Sequence, residues 1–216
     1  MKLKELEKRY FNFEVRAASD DRGALIEGRP IVYESKTDMG DYDEVIDRGA
    51  LDGTDLTDVR FLVNHDLSKI PLARSRRNNG NSTMRLSPDY EGMLIEAHVD
   101  TENNAEARAL YSAVQRGDIS GMSFMFSIND YEWEGLETER PVFHIKSVGS
   151  VVEVSAVSFP AYESTEIYAR SKETLERARE ALEKARKEQR DNSPVETEEI
   201  NELELEKAKF NFKCKL

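Results

Sequence analysis

The amino-acid sequence predicts a mainly β fold with a few helices, in the α+β class, followed by a charged helical tail. Short alternating or apolar runs, broken by Gly, Asp, Asn and Pro, extend from Phe11 to about Pro160, as is typical of many strands joined by turns. One helical pattern interrupts these runs, and a long segment without Gly or Pro follows them. A chain of 216 residues holds one substantial domain with an appendage.

The predicted strands are segments in which apolar residues alternate with polar ones or form short runs between turn residues. Two-residue periodicity is the signature of a strand that buries one face against a core. Eight segments show this pattern: Asn12–Ala17, Arg29–Tyr33, Val59–Asn64, Thr83–Leu86, Gly92–Val99, Ser120–Ile128, Val142–Val148 and Val151–Phe159.

A single helix is predicted among these strands. Asn103 is followed three residues later by Glu106, which is the spacing of a capping box. Gly117 ends the helix in the usual C-terminal position. The residues at helical spacing between them form one apolar face: Ala107, Leu110, Ala113 and Val114.

The composition changes after Ala169. Residues 171–190 contain no Gly or Pro, and their apolar residues form a narrow seam at helical spacing: Leu175, Ala178, Leu182 and Ala185. The breaker Asp191–Pro194 and a Glu-rich end follow, and this end is too polar to pack a core. The sequence predicts a domain over residues 1–170 and a charged, helical, partly mobile tail over residues 171–216. The charged segment at the N-terminus is also composed of helix-forming residues.

The charge and the cysteine content exclude several classes of protein. Forty-three acidic residues against thirty-one basic ones give a net charge of −12, which repels phosphate backbones and anionic membrane surfaces, so neither nucleic acid nor a membrane is expected as a partner. No stretch approaches the roughly 18 apolar residues of a membrane-spanning helix, so we expect a soluble, unexported protein. The lone Cys214 excludes an internal disulfide and a cysteine-based zinc cluster.

Three histidines are the remaining candidates for metal binding or proton transfer: His65, His98 and His144. They are far apart in the chain, and no helix-borne zinc signature is present. We therefore predict no metal site and no cofactor. His65 follows the apolar strand Val59–Asn64, and a strand end holds a side chain firmly within reach of a substrate. A structural, hydrogen-bonded histidine is the alternative.

Ser123 is the candidate nucleophile. Strand alternation places it on the face opposite to Met122 and Phe124, and Gly121 beside it leaves room for a substrate backbone. Simple solvent exposure is the alternative explanation for a serine in a strand.

Glu153 is the candidate acidic residue, because it interrupts an apolar strand. Val152, Val154 and Ala156 form the core face of this strand, and Glu153 lies on the other face. An unpaired buried carboxylate costs several kcal/mol in order of magnitude or else becomes neutral, so Glu153 is expected to have a partner. An imidazole N–H would be a suitable hydrogen-bond donor. Half exposure, or pairing with Arg60 or Arg74, is the alternative.

From about Glu14 to Ser164 the sequence resembles the prohead proteases of tailed phages. An Asn-His-Asp motif, a Gly-Met-Ser-Phe motif and a Glu-Val-Ser-x-Val-x-x-Pro-Ala motif follow one another in the expected order. The stretches that carry the resemblance are Gly28–Ser35 with Tyr42–Leu51, Val59–Asp66 with Pro71–Ala73, Gly117–Phe126 and Val152–Ala161. Met125, where a glycine is common in the family, and the basic segment Arg74–Gly80 depart from its pattern.

The resemblance implies a fold related to the herpesvirus capsid-maturation protease: a closed or partly closed β-barrel with peripheral helices. It implies Ser123 as nucleophile, His65 as general base and Glu153 as the residue that orients the imidazole. Since the herpesvirus relatives place a second histidine in the third role, His144 is the alternative to Glu153.

The implied function is that of a serine endopeptidase acting in the host cytoplasm, inside the assembling procapsid. Its substrates would be the scaffolding protein or the scaffold-like extension of the major capsid protein, and the chain itself. The sequence is compatible with a homodimer or a monomer. The tail is either a docking or self-cleavage segment or a solvated helix. The alternative function is a catalytically inactive scaffolding or capsid-core protein; a β-barrel that binds nucleic acid is disfavoured by the acidic balance.

Overall fold

The structure is a computed structural model that describes residues 7–11, 15–77, 79–158 and 165–191. These residues form eleven strands and two helices. In chain order the elements are β1 (Glu7–Phe11), β2 (Val15–Asp20), β3 (Gly23–Val32), β4 (Thr37–Asp38), β5 (Asp43–Ile46), β6 (Arg60–Val63), β7 (Ala73–Arg74), β8 (Met84–Pro88), β9 (Gly92–His98), α1 (Ala105–Arg116), β10 (Gly121–Glu134), β11 (Val142–Val157) and α2 (Thr165–Asp191).

The strands form two sheets. The larger sheet has the order β1-β10-β11-β5-β4, with β6 also paired to β11 and β7 paired to β6. The smaller sheet has the order β2-β3-β9-β8. In the larger sheet β11 pairs antiparallel with β10, while β5 and β6 lie parallel to its first and last parts. The end of β6 is thereby held beside the last part of β11.

The predicted mainly β architecture with few helices is confirmed, but the predicted barrel is wrong. Barrel closure requires the outer strands of a sheet to pair with each other. Within the described residues β1 and β4 each have one partner strand, and so do β2 and β8. The two open sheets instead share one hydrophobic core, to which Ile95 of the smaller sheet and Phe124 and Phe126 of the larger one all belong.

Most predicted strands are present with shifted ends, and two differences have clear physical causes. The predicted strand Val142–Val148 and residues 151–157 of the predicted strand Val151–Phe159 are parts of one strand, β11. Gly149 continues the strand between them, and its lack of a side chain allows a close approach to β10, since a Cβ there would lie 2.7 Å from Ser127 Oγ. The charged N-terminal segment contains a strand, β1, since antiparallel pairing with β10 outweighs its helical composition. Predicted strand residues 12–14 and 159 lie outside the described residues.

Strands β4, β5 and β7 are not among the predicted elements. They are two to four residues long, too short for an alternating pattern to stand out in the sequence. Their positions are set by pairing with strands from distant parts of the chain.

Helix α1 is capped by Asn104, and the capping box predicted at Asn103 is wrong by one residue. The Asn104 side chain accepts hydrogen bonds from the backbone N–H groups of Glu106 and Ala107, at 2.9 and 3.2 Å. Asn103 is bound to Asp100 instead. The predicted C-terminal cap is confirmed, with Gly117 at φ 78°. The buried face of α1 consists of Ala107, Leu110 and Val114.

The described residues up to Leu175 belong to one compact unit, and the described residues from Glu176 to Asp191 belong to a second. The second unit contains the larger part of α2, on which Ala178 and Leu182 are half-buried and Ala185 is exposed. Residues 192–216, with the predicted polar end of the tail, lie outside the described residues. None of the helices described is both long enough and apolar enough to cross a bilayer.

Gly92 of the smaller sheet is expected to tolerate a side chain poorly. It has φ 153°, and a Cβ there would overlap the backbone oxygen of Ile31 and lie 2.9 Å from Val32 Cα. Because both atoms belong to the paired backbone of β3, Gly92→Ala should lower the free energy of unfolding by about 3 kcal/mol in urea denaturation. The matched control is Gly80→Ala, which has nothing within 4 Å and should change stability by less than about 0.5 kcal/mol. Equal stability of the two variants would contradict the explanation.

Candidate active site

Three strands of the larger sheet bring the candidate residues together. β10 and β11 pair with Ser123 directly opposite Ser155 and Met125 opposite Glu153. Directly opposed side chains share one face of a sheet, and residues two apart on a strand share it as well. Ser123, Ser155 and Glu153 therefore lie on one face, beside the last part of β11 where β6 is also paired.

The turn that follows β6 carries His65. Val63 accepts a hydrogen bond from the Asp66 N–H at 3.1 Å, and the two residues between them, Asn64 and His65, have φ of 51° and 58°. Positive φ at both central positions is the geometry of a type I′ turn. Such a conformation is uncommon for residues other than Gly, although Asn and His adopt it more often than most, and it costs of order 1 kcal/mol or more.

Hydrogen bonds to the last part of β11 hold this turn in place. The Asn64 N–H donates to the Ala156 carbonyl at 3.0 Å, and the Asn64 side chain accepts from the Ser158 N–H at 2.9 Å. The His65 N–H donates to Ser155 Oγ at 3.0 Å. A strained backbone persists only where its surroundings over-determine it, as these bonds do.

The side chains of Ser123, His65 and Glu153 form one hydrogen-bonded line. Ser123 Oγ lies 2.6 Å from His65 Nε2, and His65 Nδ1 is in very close contact with Glu153 Oε1. When Nδ1 carries the ring proton and donates a hydrogen bond to the carboxylate, Nε2 is the acceptor for the hydrogen bond from the Ser123 hydroxyl. Ser123 and Glu153 are fully buried and His65 is 9% exposed, so water screens these interactions little.

Ser155 supports both ends of the His65–Glu153 pair. Its hydroxyl donates to Glu153 Oε2 at 2.7 Å and accepts the His65 backbone N–H. Both carboxylate oxygens of Glu153 are thus hydrogen-bonded, as a buried carboxylate requires. The signal for Ser155 in the sequence is its spacing of two residues from Glu153, which places both side chains on one face of a strand.

The alternative partners proposed for Glu153 are engaged elsewhere. Arg74 Nε donates to Asp58 at 2.6 Å, and Arg60 lies 3.5 Å from the same carboxylate. Half exposure of Glu153 is also wrong, because the residue is fully buried.

His144 lies at the opposite end of β11 from Glu153. Its ring nitrogens bind Asp47 Oδ1 at 2.8 Å and Glu134 Oε2 at 3.1 Å. The two residues are nine positions apart along the strand, which corresponds to roughly 30 Å. The structure therefore brings Glu153, and not His144, to His65.

Solvent exposure, the alternative explanation for Ser123, is wrong. Alternation correctly separates Ser123 from the face of Met122 and Phe124, but both faces of β10 are buried over residues 121–127. The neighbouring Ser120, just before β10, is exposed.

Chemically, a hydroxyl bound to an imidazole that is itself bound to a buried carboxylate is an arrangement for activating a nucleophile in acyl transfer. In the part of the chain that the structure describes, no group of three or more His, Cys, Asp or Glu side chains could hold a metal ion.

Comparison with known proteins places the chain in a family. A family model described as Caudovirus prohead serine protease matches residues 11–180. The prohead protease of Enterobacteria phage HK97 is 25% identical over 159 residues, which cover 72% of this chain and 64% of that protein. The chain thus spans just under two thirds of the length of this relative.

Among solved structures, the bacteriophage T4 capsid assembly protease gp21 matches 70% of this chain and 98% of its own, with a TM-score of 0.37 and 13% identity. The segment matched by the family model covers most of the chain and contains His65, Ser123 and Glu153. The chain therefore belongs to the Caudovirus prohead serine protease family.

Proposed function

We propose that this protein is a serine endopeptidase that cleaves capsid or scaffolding protein during maturation of a tailed-phage procapsid. The observation that carries the proposal is the buried line from Ser123 Oγ through His65 to the Glu153 carboxylate. Family membership supports the same reaction class. The substrate is inferred from the family: the scaffolding protein or the scaffold-like extension of the major capsid protein, and the chain itself.

In this mechanism Ser123 Oγ attacks the scissile carbonyl carbon while His65 Nε2 takes its proton. The imidazolium then gives this proton to the leaving amine, and a water molecule, deprotonated by the same nitrogen, hydrolyses the acyl-enzyme. Glu153 holds the Nδ1–H, so that the ring keeps the required tautomer and the positive charge of the imidazolium is stabilised in a site with little water.

Ser155 is a positioning residue in this mechanism. It forms or breaks no bond in the reaction, but its hydroxyl bridges the Glu153 carboxylate and the His65 backbone. Because the strained turn can move relative to β11 only by breaking this bridge, Ser155 keeps the imidazole in register with both of its partners.

The burial of Ser123 supports activity that is restricted to the assembling shell. A substrate carbonyl reaches a fully buried hydroxyl only after the surroundings of that hydroxyl open. An enzyme that opens when it is concentrated with its substrate inside a procapsid would spare host proteins in the cytoplasm.

Ser123→Ala and His65→Ala should abolish cleavage, because each removes a group that forms or breaks a bond in the reaction. Each variant is co-expressed with the major capsid and scaffolding proteins of the same phage, and the masses of these proteins are measured after assembly. Ser120→Ala is the matched control, since it removes an exposed hydroxyl three residues away and should leave cleavage intact. Full cleavage by Ser123→Ala would assign the nucleophile elsewhere, and uncut capsid protein with the unaltered chain would favour an inactive scaffolding role.

Glu153→Gln should lower kcat by about 1,000-fold to 10,000-fold with little change in KM, because it removes the charge that stabilises the imidazolium while keeping the shape of the side chain. Processing of the capsid protein is followed over time by mass spectrometry, with thermal unfolding as the check on folding. A loss of less than tenfold would exclude Glu153 from the proton relay.

Ser155→Ala should lower kcat by about 10-fold to 100-fold, with KM unchanged and a displaced acid limb in the pH profile of kcat. Ser127→Ala is the matched control, because Ser127 is also buried in the larger sheet but is bound to Ser150, away from the site. If both variants lose stability alike and neither displaces the pH profile, Ser155 has only a structural role. Ser155→Thr keeps the hydroxyl and should recover part of the rate.

A further inference from the structure

A groove of about 440 Å³ lies beside the turn that carries His65. One wall is formed by the end of β6 and the loop that follows it, and the other wall by α1. Asn64 and Asp66, the chain neighbours of His65, both line the groove. Since consecutive Cα atoms are about 3.8 Å apart, the groove begins within one residue of the proposed general base.

The interior of the groove is apolar. Leu62, Leu72, Leu110 and Ile119 line it, and Ile70 stands at the surface with 81% of its area exposed. An apolar surface that is open to solvent beside a polar site marks a place where another molecule is bound.

Small residues on α1 leave the space open. Glu106, Ala109, Leu110 and Ala113 follow at i, i+3, i+4 and i+7, so they form one face of the helix along the groove. Ala109 is exposed and Ala113 is half-buried, and neither side chain extends beyond its Cβ.

Charges of both signs surround the mouth of the groove. Lys69 donates to Glu106 Oε1 at 2.7 Å and so connects the loop to α1. The hydrogen bond from the Ser68 hydroxyl lowers the pKa of Asp66, which stays a carboxylate near neutral pH. Because the rim carries both signs of charge, it attracts neither an acidic nor a basic ligand group strongly. The apolar interior therefore determines which ligand group the groove binds.

We infer that this groove is a specificity pocket that binds a large apolar side chain of the substrate, two to four residues from the scissile bond. The inference rests on the proposed function, in which an extended polypeptide lies across Ser123 and His65. An extended chain advances about 3.3 Å per residue, so residues two to four positions away lie about 7 to 13 Å from the reacting carbonyl. Filling such a pocket correctly is expected to change kcat/KM by about 10-fold to 100-fold.

The first test maps the cleavage sites in the capsid and scaffolding proteins after co-expression with the unaltered chain. All sites should share a Leu, Ile, Val, Met or Phe at one fixed position two to four residues from the cut. Replacing that residue by Glu in the substrate should reduce processing at least tenfold. Cleavage at sites without a common apolar residue would overturn the inference.

The second test uses a substitution of Ile70 to change the substrate side chain that the groove prefers from apolar to acidic. Ile70→Lys should process the unaltered substrate about tenfold more slowly and the Glu-containing substrate faster than the unaltered chain does. Leu67→Lys is the matched control, because Leu67 is an apolar residue of the same loop, 60% exposed, that does not line the groove. Identical behaviour of the two variants on both substrates would overturn the inference.

A third variant fills the groove without adding charge. Ala109→Phe should slow processing about tenfold, whereas Gln115→Phe, an exposed position on another face of α1, should not. If Ala109→Phe keeps full activity and specificity, the groove does not receive the substrate.

The proposed function fails separately from this inference. Absence of any cleavage by the unaltered chain would overturn the protease assignment, whereas cleavage by Ser123→Ala would assign the nucleophile elsewhere. Cleavage that depends on Ser123 but is indifferent to Ile70 and Ala109 would overturn the specificity pocket alone.

Discussion

The fully buried carboxylate of Glu153 is the constraint on which the arrangement of this protein depends. Placed in the last part of a central strand, it must be hydrogen-bonded or it costs several kcal/mol in order of magnitude. It meets this requirement with the His65 ring on one oxygen and the Ser155 hydroxyl on the other. The same bonds hold the imidazole at the Ser123 hydroxyl, so the hydrogen bonds that satisfy the buried carboxylate also assemble the site.

Strand β11 positions the residues that form these hydrogen bonds. Over its sixteen residues it pairs with β10 on one side and with two separate parallel strands on the other. The pairing with β10 presents Ser123, and the parallel pairing with β6 delivers the turn that carries His65. A turn with two positive φ values then reverses the chain sharply enough to bring the ring back over β11.

The groove beside His65 follows from the same arrangement. Because the chain leaves the turn and passes opposite α1 before returning as β7, it leaves an open space between loop and helix instead of a packed contact. The turn that carries His65 would then have the reacting residues on one side and the groove that selects the substrate on the other. A change in the loop sequence between Asp66 and Leu72 could alter selection without moving the buried hydrogen bonds.

The sequence by itself determined the local features: the strand-rich composition, the C-terminal cap of α1 at Gly117, and the polar residues Ser123 and Glu153 within apolar strands, with His65 at the end of another. These depend on short-range periodicity and on the chemistry of single residues. Only the tertiary structure decided that the sheets stay open, that β1 pairs as a strand, and that Glu153 binds His65 while His144 lies at the far end of β11. The reason is separation along the chain: His65 is 58 positions from Ser123 and 88 positions from Glu153, and pairing over such distances leaves no periodic signal in the sequence.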